Sequence, residues 1–198
     1  MSAFSPTADA GFFDAVLKGS RVVLRPYSED RDLENIARLL ADERVTAPMG
    51  VESPDLSRER VRAAKEDRMG RDDAGDWTIF IPVGEDEIFA GEIGIALWEP
   101  ETHVGEIFAA VHPDLAGKGY GREAASTLIE HIFGLDPVAT VRVQTLRSNV
   151  KAVKLACSLG FRETGVRFVP PEQSKGFPGG AAVILDVRAY EFRRFETR

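Results

Sequence analysis

The sequence predicts an α/β fold in which a mixed, mostly antiparallel sheet of seven strands carries about four helices. Apolar residues alternate along several short segments, as strands require, and recur at helical spacing along others. In chain order the predicted elements are a strand, two helices, three strands, a helix, a strand, a helix and two strands. Strands joined by tight turns pair antiparallel, whereas the strand–helix–strand crossover makes one parallel pair.

The first part of the chain predicts an N-terminal extension, a strand and two helices. Residues 1–20 form the extension, where a short helix is expected to pack on the body of the domain or on a partner subunit through Phe12, Phe13, Val16 and Leu17. Residues 21–27 read as a strand. A helix follows, with one apolar face at Leu33, Ile36, Ala37 and Leu40. Ser53 and Pro54 are a typical N-cap and first-turn pair for a second helix ending near Met69.

The middle of the chain predicts a hairpin and a further strand. Residues 77–83 and 89–97 alternate, and the polar segment 84–87 between them is typical of a hairpin turn. Residues 103–111 form the next strand. Side chains alternate between the two faces of a strand, so Ile107, Ala109 and Val111 share one face and Glu106, Phe108 and Ala110 share the other.

The last third of the chain predicts two helices and three strands. A helix over 123–133 precedes a strand over 140–146, and Ser148 or Asn149 caps the next helix. That helix ends at Gly160 and buries a stripe made of Ala152, Leu155, Ala156 and Leu159. Strands over 161–168 and 181–192 flank a loop over 170–180. Trp77 and Trp98 are expected to line the core or a cleft.

Composition excludes several classes of protein. The length of 198 residues suits one domain, and the net charge of -7 argues against a nucleic-acid binder, which needs basic surface to meet phosphates. The single cysteine, Cys157, cannot form an internal disulfide, and no Cys/His spacing suggests zinc or another metal. The N-terminus lacks a signal-peptide pattern, and no apolar run approaches the roughly 20 residues of a membrane span. We therefore expect a cytoplasmic protein with neither nucleic acid nor membrane as a partner.

The most informative segment is the glycine loop, residues 113–124, which reads PDLAGKGYGREA. Gly117, Gly119 and Gly121 leave the backbone bare immediately before a predicted helix. Backbone N–H groups at a helix N-terminus have no helical partner, and together with the helix dipole they attract anions. The loop therefore predicts a site for a phosphorylated ligand.

The order of the elements, the glycine loop and the later segment SNVKAVKLACSLGFRETG together resemble the GNAT acyltransferase superfamily. Its branch of ribosomal-protein N-terminal acetyltransferases is the nearest in pattern. The resemblance covers about residues 21–190 and implies a GNAT domain over 21–198. It implies acetyl transfer from acetyl-CoA to a primary amine without a covalent enzyme intermediate. It also implies that the strands flanking the glycine-loop helix splay to admit CoA, and that a homodimer is possible.

The resemblance assigns the acetyl-CoA site residue by residue. The three glycines match the family loop, whereas Ala116 replaces its usual leading Arg or Gln, which leaves Lys118 or Arg122 to compensate. Val111 matches the strand position that pairs with the pantetheine amides, and Asn149 matches the residue that opens the second motif. The residues expected to bind acetyl-CoA are Val111, Gly117, Lys118, Gly119, Tyr120, Gly121, Arg122, Asn149, Ala152 and Leu155.

The same comparison removes the familiar catalytic acid and base. Ala156 stands where many members carry the Tyr that protonates the departing thiolate, and Gln144 stands where the ribosomal type carries a Glu base. Cys157 is expected to be buried by packing, and Ser158 is an alternative source of the thiolate proton. The candidate bases are Glu106 and His112. Their structural alternatives are an ion pair of Glu106 with Arg142, a strand cap for His112, and a water relay in place of either.

A site without a strong base favours amines of low pKa. At 1.36 kcal/mol per pKa unit, deprotonating a lysine of pKa about 10.4 at pH 7 costs roughly 4–5 kcal/mol, against about 1–1.5 kcal/mol for an α-amine of pKa about 8. We therefore expect a protein N-terminal α-amine or a small-molecule amine as the acceptor. We expect it to bind at the loop 170–180, because loops carry specificity. An acyl-CoA-binding sensor or interaction module with little catalysis is the alternative. A nucleotide-binding protein of another class fits poorly, because the loop lacks the P-loop spacing.

Overall fold

The computed structural model describes residues 11–49, 57–69, 71, 73–97, 103–134, 138–169, 180–189 and 191–192. These residues form one mixed sheet of eight strands in the order β1-β2-β3-β4-β5-β6-β8-β7. The strands are β1 (Leu17–Lys18), β2 (Val23–Pro26), β3 (Ala74–Val83), β4 (Asp86–Leu97), β5 (Val104–Val111), β6 (Thr140–Leu146), β7 (Arg162–Val169) and β8 (Gly180–Arg188). The helices are α1 (Glu29–Leu40), α2 (Glu43–Met49), α3 (Arg58–Met69), α4 (Tyr120–Ile132) and α5 (Val150–Ser158).

The predicted α/β fold is confirmed, with one more strand and one more helix in the described residues than the sequence indicated. The extra helix is α2, which contains Pro48. The extra strand is β1, which replaces the helix predicted around Leu17 because its backbone pairs with β2. The indole of Trp77 fixes the chain just before it by donating to the carbonyl of Ala15 at 2.9 Å. Phe12 and Phe13 pack on the main core, as predicted.

The predicted splay of the parallel strands is present. Strands β5 and β6 pair over three residues only, ending where Glu106 faces Arg142. From that point β5 continues along β4 and β6 continues along β8. A wedge, here called the strand gap, therefore opens between residues 107–111 of β5 and residues 143–146 of β6. Within these two fully described strands, the backbone edges that face the gap have no strand partner.

The helices divide between the two faces of the sheet. Helices α4 and α5 contribute to the main apolar core, in which Leu128 and Ile129 of α4 pack with Ile107 of β5. The next residue along β5, Phe108, points to the other face and lies under Arg68 of α3 at 4.6 Å. A smaller cluster there joins α1 and α3 through Leu33, Ile36 and Val61. No described helix is long and apolar enough to cross a membrane.

Candidate active site

The glycine loop joins the end of β5 to the first turn of α4. Pro113–Leu115 forms a single 3-10 turn, and Gly117 and Gly119 then adopt left-handed φ values of 78° and 88°. Only glycine adopts such values without strain. Helix α4 begins at Tyr120, three residues earlier than predicted, because the N–H of Glu123 donates to the carbonyl of Gly119 at 3.0 Å. The N–H groups of residues 120–122 precede that bond and have no helical carbonyl to reach.

Gly121 is favoured by close packing and not by backbone conformation. A Cβ at this position would lie 3.1 Å from Cγ2 of Val111 and 3.7 Å from Cδ1 of Leu155. The end of β5, the first turn of α4 and helix α5 therefore meet around one bare backbone position. Three residues that the sequence assigns to acetyl-CoA, Val111, Gly121 and Leu155, lie together at the wide end of the strand gap.

The two cations that were expected to compensate for Ala116 are placed differently. Lys118 is exposed on the loop. Arg122 binds α5, because its Nε donates to Ser158 Oγ at 3.0 Å and its Nη2 donates to the Ser158 carbonyl at 3.3 Å. Arg122 thus fastens the start of α4 to the end of α5.

A third cation beside the loop, Arg21, was missed by the sequence analysis. Its Nη1 donates to the carbonyl of Lys118 at 3.2 Å, and its guanidinium lies 5.1 Å from the centre of the Tyr120 ring. Its Nε donates to Oε2 of Glu123 at 2.9 Å, across 102 positions of sequence. No local pattern marks such a pair. The only hint is a carboxylate, Glu123, on the buried side of α4.

The second motif forms helix α5 as predicted. Asn149 is its N-cap, with Oδ1 accepting from the N–H of Ala152 at 3.3 Å and Nδ2 donating to Thr145 Oγ1 at 3.2 Å. Ala156 is buried. The prediction that Cys157 is buried is wrong, because the thiol is exposed. One residue past Ala156 turns the side chain about 100° around the helix, which carries Cys157 off the buried stripe.

Glu106 lies on the last paired residue of β5, where the strand gap opens. Its Oε2 accepts from the Nε2 of Gln144 at 2.8 Å. The predicted ion pair with Arg142 does not form, because the Arg142 guanidinium makes a two-pronged bond of 2.8 and 2.9 Å to Asp186 on β8. Gln144 stands where the ribosomal type carries a Glu base. Its amide orients the carboxylate of Glu106 on the neighbouring strand.

His112 lies at the opposite end of the gap. Its Nδ1 accepts a long bond of 3.4 Å from the N–H of Asp114, which makes it the cap of the 3-10 turn. Asp114 in turn receives Arg44 Nη1 at 2.8 Å. At about 3.4 Å per residue, Glu106 and His112 are about 20 Å apart along the strand. They cannot both act on one reacting amine.

A buried ion network lies on the Glu106 face of the sheet. Lys65 of α3 places its Nζ 2.6 Å from Glu92 Oε2 and 3.4 Å from Asp76 Oδ1, and Arg68 Nε donates to Asp76 Oδ2 at 3.0 Å. Tyr27 lies beside it, with its ring centre 5.2 Å from Lys65 Nζ. Burial, reinforced by nearby carboxylates, raises the pKa of Tyr27 to about 12. The sequence predicted the helix that ends near Met69 but did not reveal this network.

Helix α2, which the sequence did not predict, also lies on this face. Its Val45 packs with Ala110 of β5, and the helix contacts β6 as well. It therefore spans the strand gap. The loop segment 170–179, where the acceptor was expected to bind, lies outside the described residues, as does Trp98, which was expected to line the core or a cleft.

Comparison with known proteins identifies the fold and the family. Residues 21–162 match the family model described as "Acetyltransferase (GNAT) domain", which is well over half of the chain. Comparison with curated protein sequences gave no match.

Several solved structures share the fold. Mycobacterium smegmatis RimJ in complex with CoA-disulfide superposes with a TM-score of 0.74 at 16% identity, covering 91% of this chain and 90% of that one. RimL, a ribosomal L7/L12 alpha-N-protein acetyltransferase in complex with coenzyme A, gives 0.72 at 14% identity, covering 88% and 98%. Spermidine N-acetyltransferase from Vibrio cholerae in complex with CoA and spermine gives 0.73 at 16% identity, covering 87% and 98%.

The family match, the glycine loop and the splayed strands agree with one another. The chain belongs to the GNAT family of acetyltransferases, which transfer an acetyl group from the co-substrate acetyl-CoA to an amine nitrogen.

Proposed function

We propose that this enzyme acetylates a protein N-terminal α-amine or a small-molecule amine of low pKa, with Glu106 as the general base. The observation that carries the proposal is the position of Glu106 at the closed end of the strand gap. There the amide of Gln144 holds one of its oxygens at 2.8 Å. An amide cannot take up a proton, so Glu106 is the member of this pair that can act as a base.

The residues around the glycine loop fit acetyl-CoA. Three N–H groups at the start of α4 suit a pyrophosphate, and the unpaired edges of the strand gap suit the amides of a pantetheine arm. Gly121 lets β5, α4 and α5 meet closely, because it adds no side chain between those of Val111 and Leu155. We assign donor binding to Val111, to residues 117–122, and to Asn149, Ala152 and Leu155 around α5.

The reaction starts from the neutral amine: its nitrogen loses one proton as the amide forms, and the leaving thiolate takes up one. Acetyl-CoA supplies the thioester, whose C–S bond breaks as the N–C bond forms. Glu106 takes the proton that the acceptor nitrogen loses. A placed general base contributes typically 10²–10⁴-fold. Ala156 offers no proton for the thiolate, so solvent or Ser158, whose hydroxyl lies within 2.7 Å of the Leu155 carbonyl, supplies it.

Two structural neighbours are named for amine acceptors. One is named for an alpha-N-protein acetyltransferase activity and the other for spermidine. Both share the fold with this chain at low identity and support an amine nitrogen as the acceptor. Only the first fits an acceptor of low pKa, because the alkyl amines of spermidine are about as basic as a lysine side chain. Deprotonating an α-amine costs about 1–1.5 kcal/mol, against roughly 4–5 kcal/mol for lysine. This difference favours an N-terminal α-amine over a lysine side chain as the acceptor.

The test of the acceptor compares two peptides of the same sequence. One has a free N-terminus and no lysine, and the other is blocked at its N-terminus and carries one lysine. We expect a higher kcat/KM on the free α-amine. Faster acetylation of the lysine would overturn the proposed acceptor class.

The test of the donor loop compares two glycine variants. Gly121→Ala places a methyl 3.1 Å from Val111, whereas Gly165→Ala on β7 places one at an ordinary 3.5 Å from Ile184. We expect calorimetry to show a Kd for CoA about tenfold higher in the first variant, or about 1.4 kcal/mol, and unchanged in the second. Equal affinities in both variants would remove CoA from this loop.

A further inference from the structure

We propose that Arg21 is a positioning residue for the donor: it holds the glycine loop in the conformation that binds the phosphates of acetyl-CoA. Arg21 precedes β2, about a hundred positions before the loop, and the sequence analysis assigned it no role. The inference rests on the proposed donor site in the glycine loop. It is independent of the acceptor and of Glu106.

Both carboxylate oxygens of Glu123 bind Arg21. The backbone N–H of Arg21 donates to Oε1 of Glu123 at 2.6 Å, and its Nε donates to Oε2 at 2.9 Å. The Glu123 side chain is 3% exposed, against 38% for Arg21. A buried carboxylate is costly unless it is paired and hydrogen-bonded. The pair therefore locks the start of the domain to the first turn of α4.

The neighbouring backbone is built to allow this contact. Gly19 turns the chain by donating its N–H to the carbonyl of Val22 at 2.9 Å. A Cβ on Gly19 would lie 2.9 Å from Oε1 of Glu123 and 3.1 Å from Oγ1 of Thr127. Only a glycine lets the segment lie this close to α4.

The outer nitrogens of Arg21 act on the loop itself. Nη1 donates to the carbonyl of Lys118 at 3.2 Å. Nη2 lies 3.1 Å from the point where a Cβ on Gly119 would sit. In a trans peptide the C=O and the following N–H point in opposite directions. By holding the Lys118 carbonyl on one side, Arg21 turns the N–H of Gly119 to the other side, away from itself.

This arrangement explains how the loop works without its usual leading residue. Ala116 has no side chain that can bind a phosphate or hold a neighbouring carbonyl. Arg21 instead contacts the loop on the side of the Lys118 carbonyl, and its fixed positive charge lies one peptide group away from the backbone N–H groups that would bind the phosphates. An anion bound to those N–H groups gains from the charge of Arg21 and from the fixed direction of the N–H groups.

The experiment measures CoA affinity and donor use in Arg21→Gln and Arg21→Lys, with Arg25→Gln as the matched control. Arg25 follows on β2, and it forms a similar two-pronged pair with Glu87 at 3.0 and 2.6 Å, away from the loop. We expect Arg21→Gln to raise the Kd for CoA about tenfold and to lower kcat/KM for acetyl-CoA by the same factor. Acetyl-pantetheine, which lacks the phosphates, should be used by this variant as well as by the wild type.

Arg21→Lys separates geometry from charge and also guards against misfolding. A lysine keeps the ion pair with Glu123, but its single ammonium cannot also hold the Lys118 carbonyl. We expect its Kd for CoA to stay within about threefold of that of Arg21→Gln. Full affinity in the lysine variant would overturn the positioning role, as would an equal loss with acetyl-CoA and acetyl-pantetheine.

The Gly121→Ala variant distinguishes failure of this inference from failure of the donor site. Weaker CoA binding in Gly121→Ala but not in Arg21→Gln would overturn only the role of Arg21. Unchanged CoA binding in both variants would overturn the loop assignment and the role of Arg21 together.

Discussion

Helices α4 and α3 cover opposite faces of the sheet, and different forces hold them there. Helix α4 buries a continuous apolar surface that includes Leu128, Ile129 and Ile132. Helix α3 buries only Val61 and Lys65. The buried ion network and the cation–π contact of Arg68 with Phe108 take the place of an apolar stripe.

The contrast separates the two tasks that we propose for the enzyme. The glycine loop begins α4, so the donor rests on a tightly packed core that keeps its backbone donors in place. Glu106 faces the α3 side, where charges hold the helix by directional bonds. Apolar packing tolerates substitutions that conserve volume, whereas a buried charge is stable only with its partners present.

The largest expected effect is on the charged side. Lys65→Ala leaves Glu92 and Asp76 buried without their shared cation, and breaking such a network costs about 3–5 kcal/mol. Urea unfolding should show this loss in the free energy of unfolding. Lys65→Met combined with Glu92→Gln should recover part of this loss, because the charges of Lys65 and Glu92 are then removed together. A cost below about 1 kcal/mol for Lys65→Ala would mean that α3 is held by something else.

The apolar side should respond to loss of volume. Leu128 is fully buried in α4, and Leu→Ala substitutions at such sites cost about 2–5 kcal/mol. We expect about 3 kcal/mol for Leu128→Ala by the same urea measurement. Leu128→Met should cost less than about 1.5 kcal/mol, because it conserves volume. A loss as large in the methionine variant would contradict a packing origin.

The titration of Tyr27 probes the surroundings of the buried ion network and leaves the charged residues of that network unchanged. Its hydroxyl is buried with no hydrogen-bond partner among the described residues, and burial is the main reason that its pKa rises to about 12. Because this pKa lies above the unfolded value of about 10, the contribution of Tyr27 to stability is complete below pH 10 and is lost as the pH rises to 12. Absorbance at alkaline pH should show one late tyrosine step that Tyr27→Phe removes.

The smallest effect is expected at an exposed pair. Arg38 Nε lies 3.0 Å from Glu34 Oε1 on the outer surface of α1, with both side chains more than half exposed. Pairs of this kind contribute about 0.3–0.5 kcal/mol. Arg38→Ala should therefore change the free energy of unfolding by less than about 0.5 kcal/mol. A larger change would contradict the expected difference between exposed and buried charges in their contribution to the free energy of unfolding.

The sequence predicted features whose causes are local. Alternation identified β3, β4 and β5, and the three glycines identified the turn into α4. Of the two residues predicted as the cap of α5, Ser148 and Asn149, the structure selects Asn149. The start of α4 was predicted less well, because Tyr120 and Gly121 were assigned to the loop although they form the first turn of the helix.

Features with distant causes could not be predicted. The bond from Arg21 to Glu123 joins residues 102 positions apart, and that from Gln144 to Glu106 joins residues 38 apart. Strand β1 exists because β2 offers its edge, which no pattern in residues 11–20 shows. The strand gap itself was expected only from the family resemblance.

The most direct test of the account is the kcat of Glu106→Gln on a free α-amine peptide, with the Kd for CoA measured on the same preparation. Glu85→Gln, in the exposed hairpin turn, is the matched control. We predict that kcat falls about 100-fold in Glu106→Gln while the Kd for CoA is unchanged, and that the control matches the wild type in both. A kcat within about threefold of the wild type would contradict the role of Glu106, and a parallel rise in the Kd for CoA would contradict the separation of donor and acceptor sites.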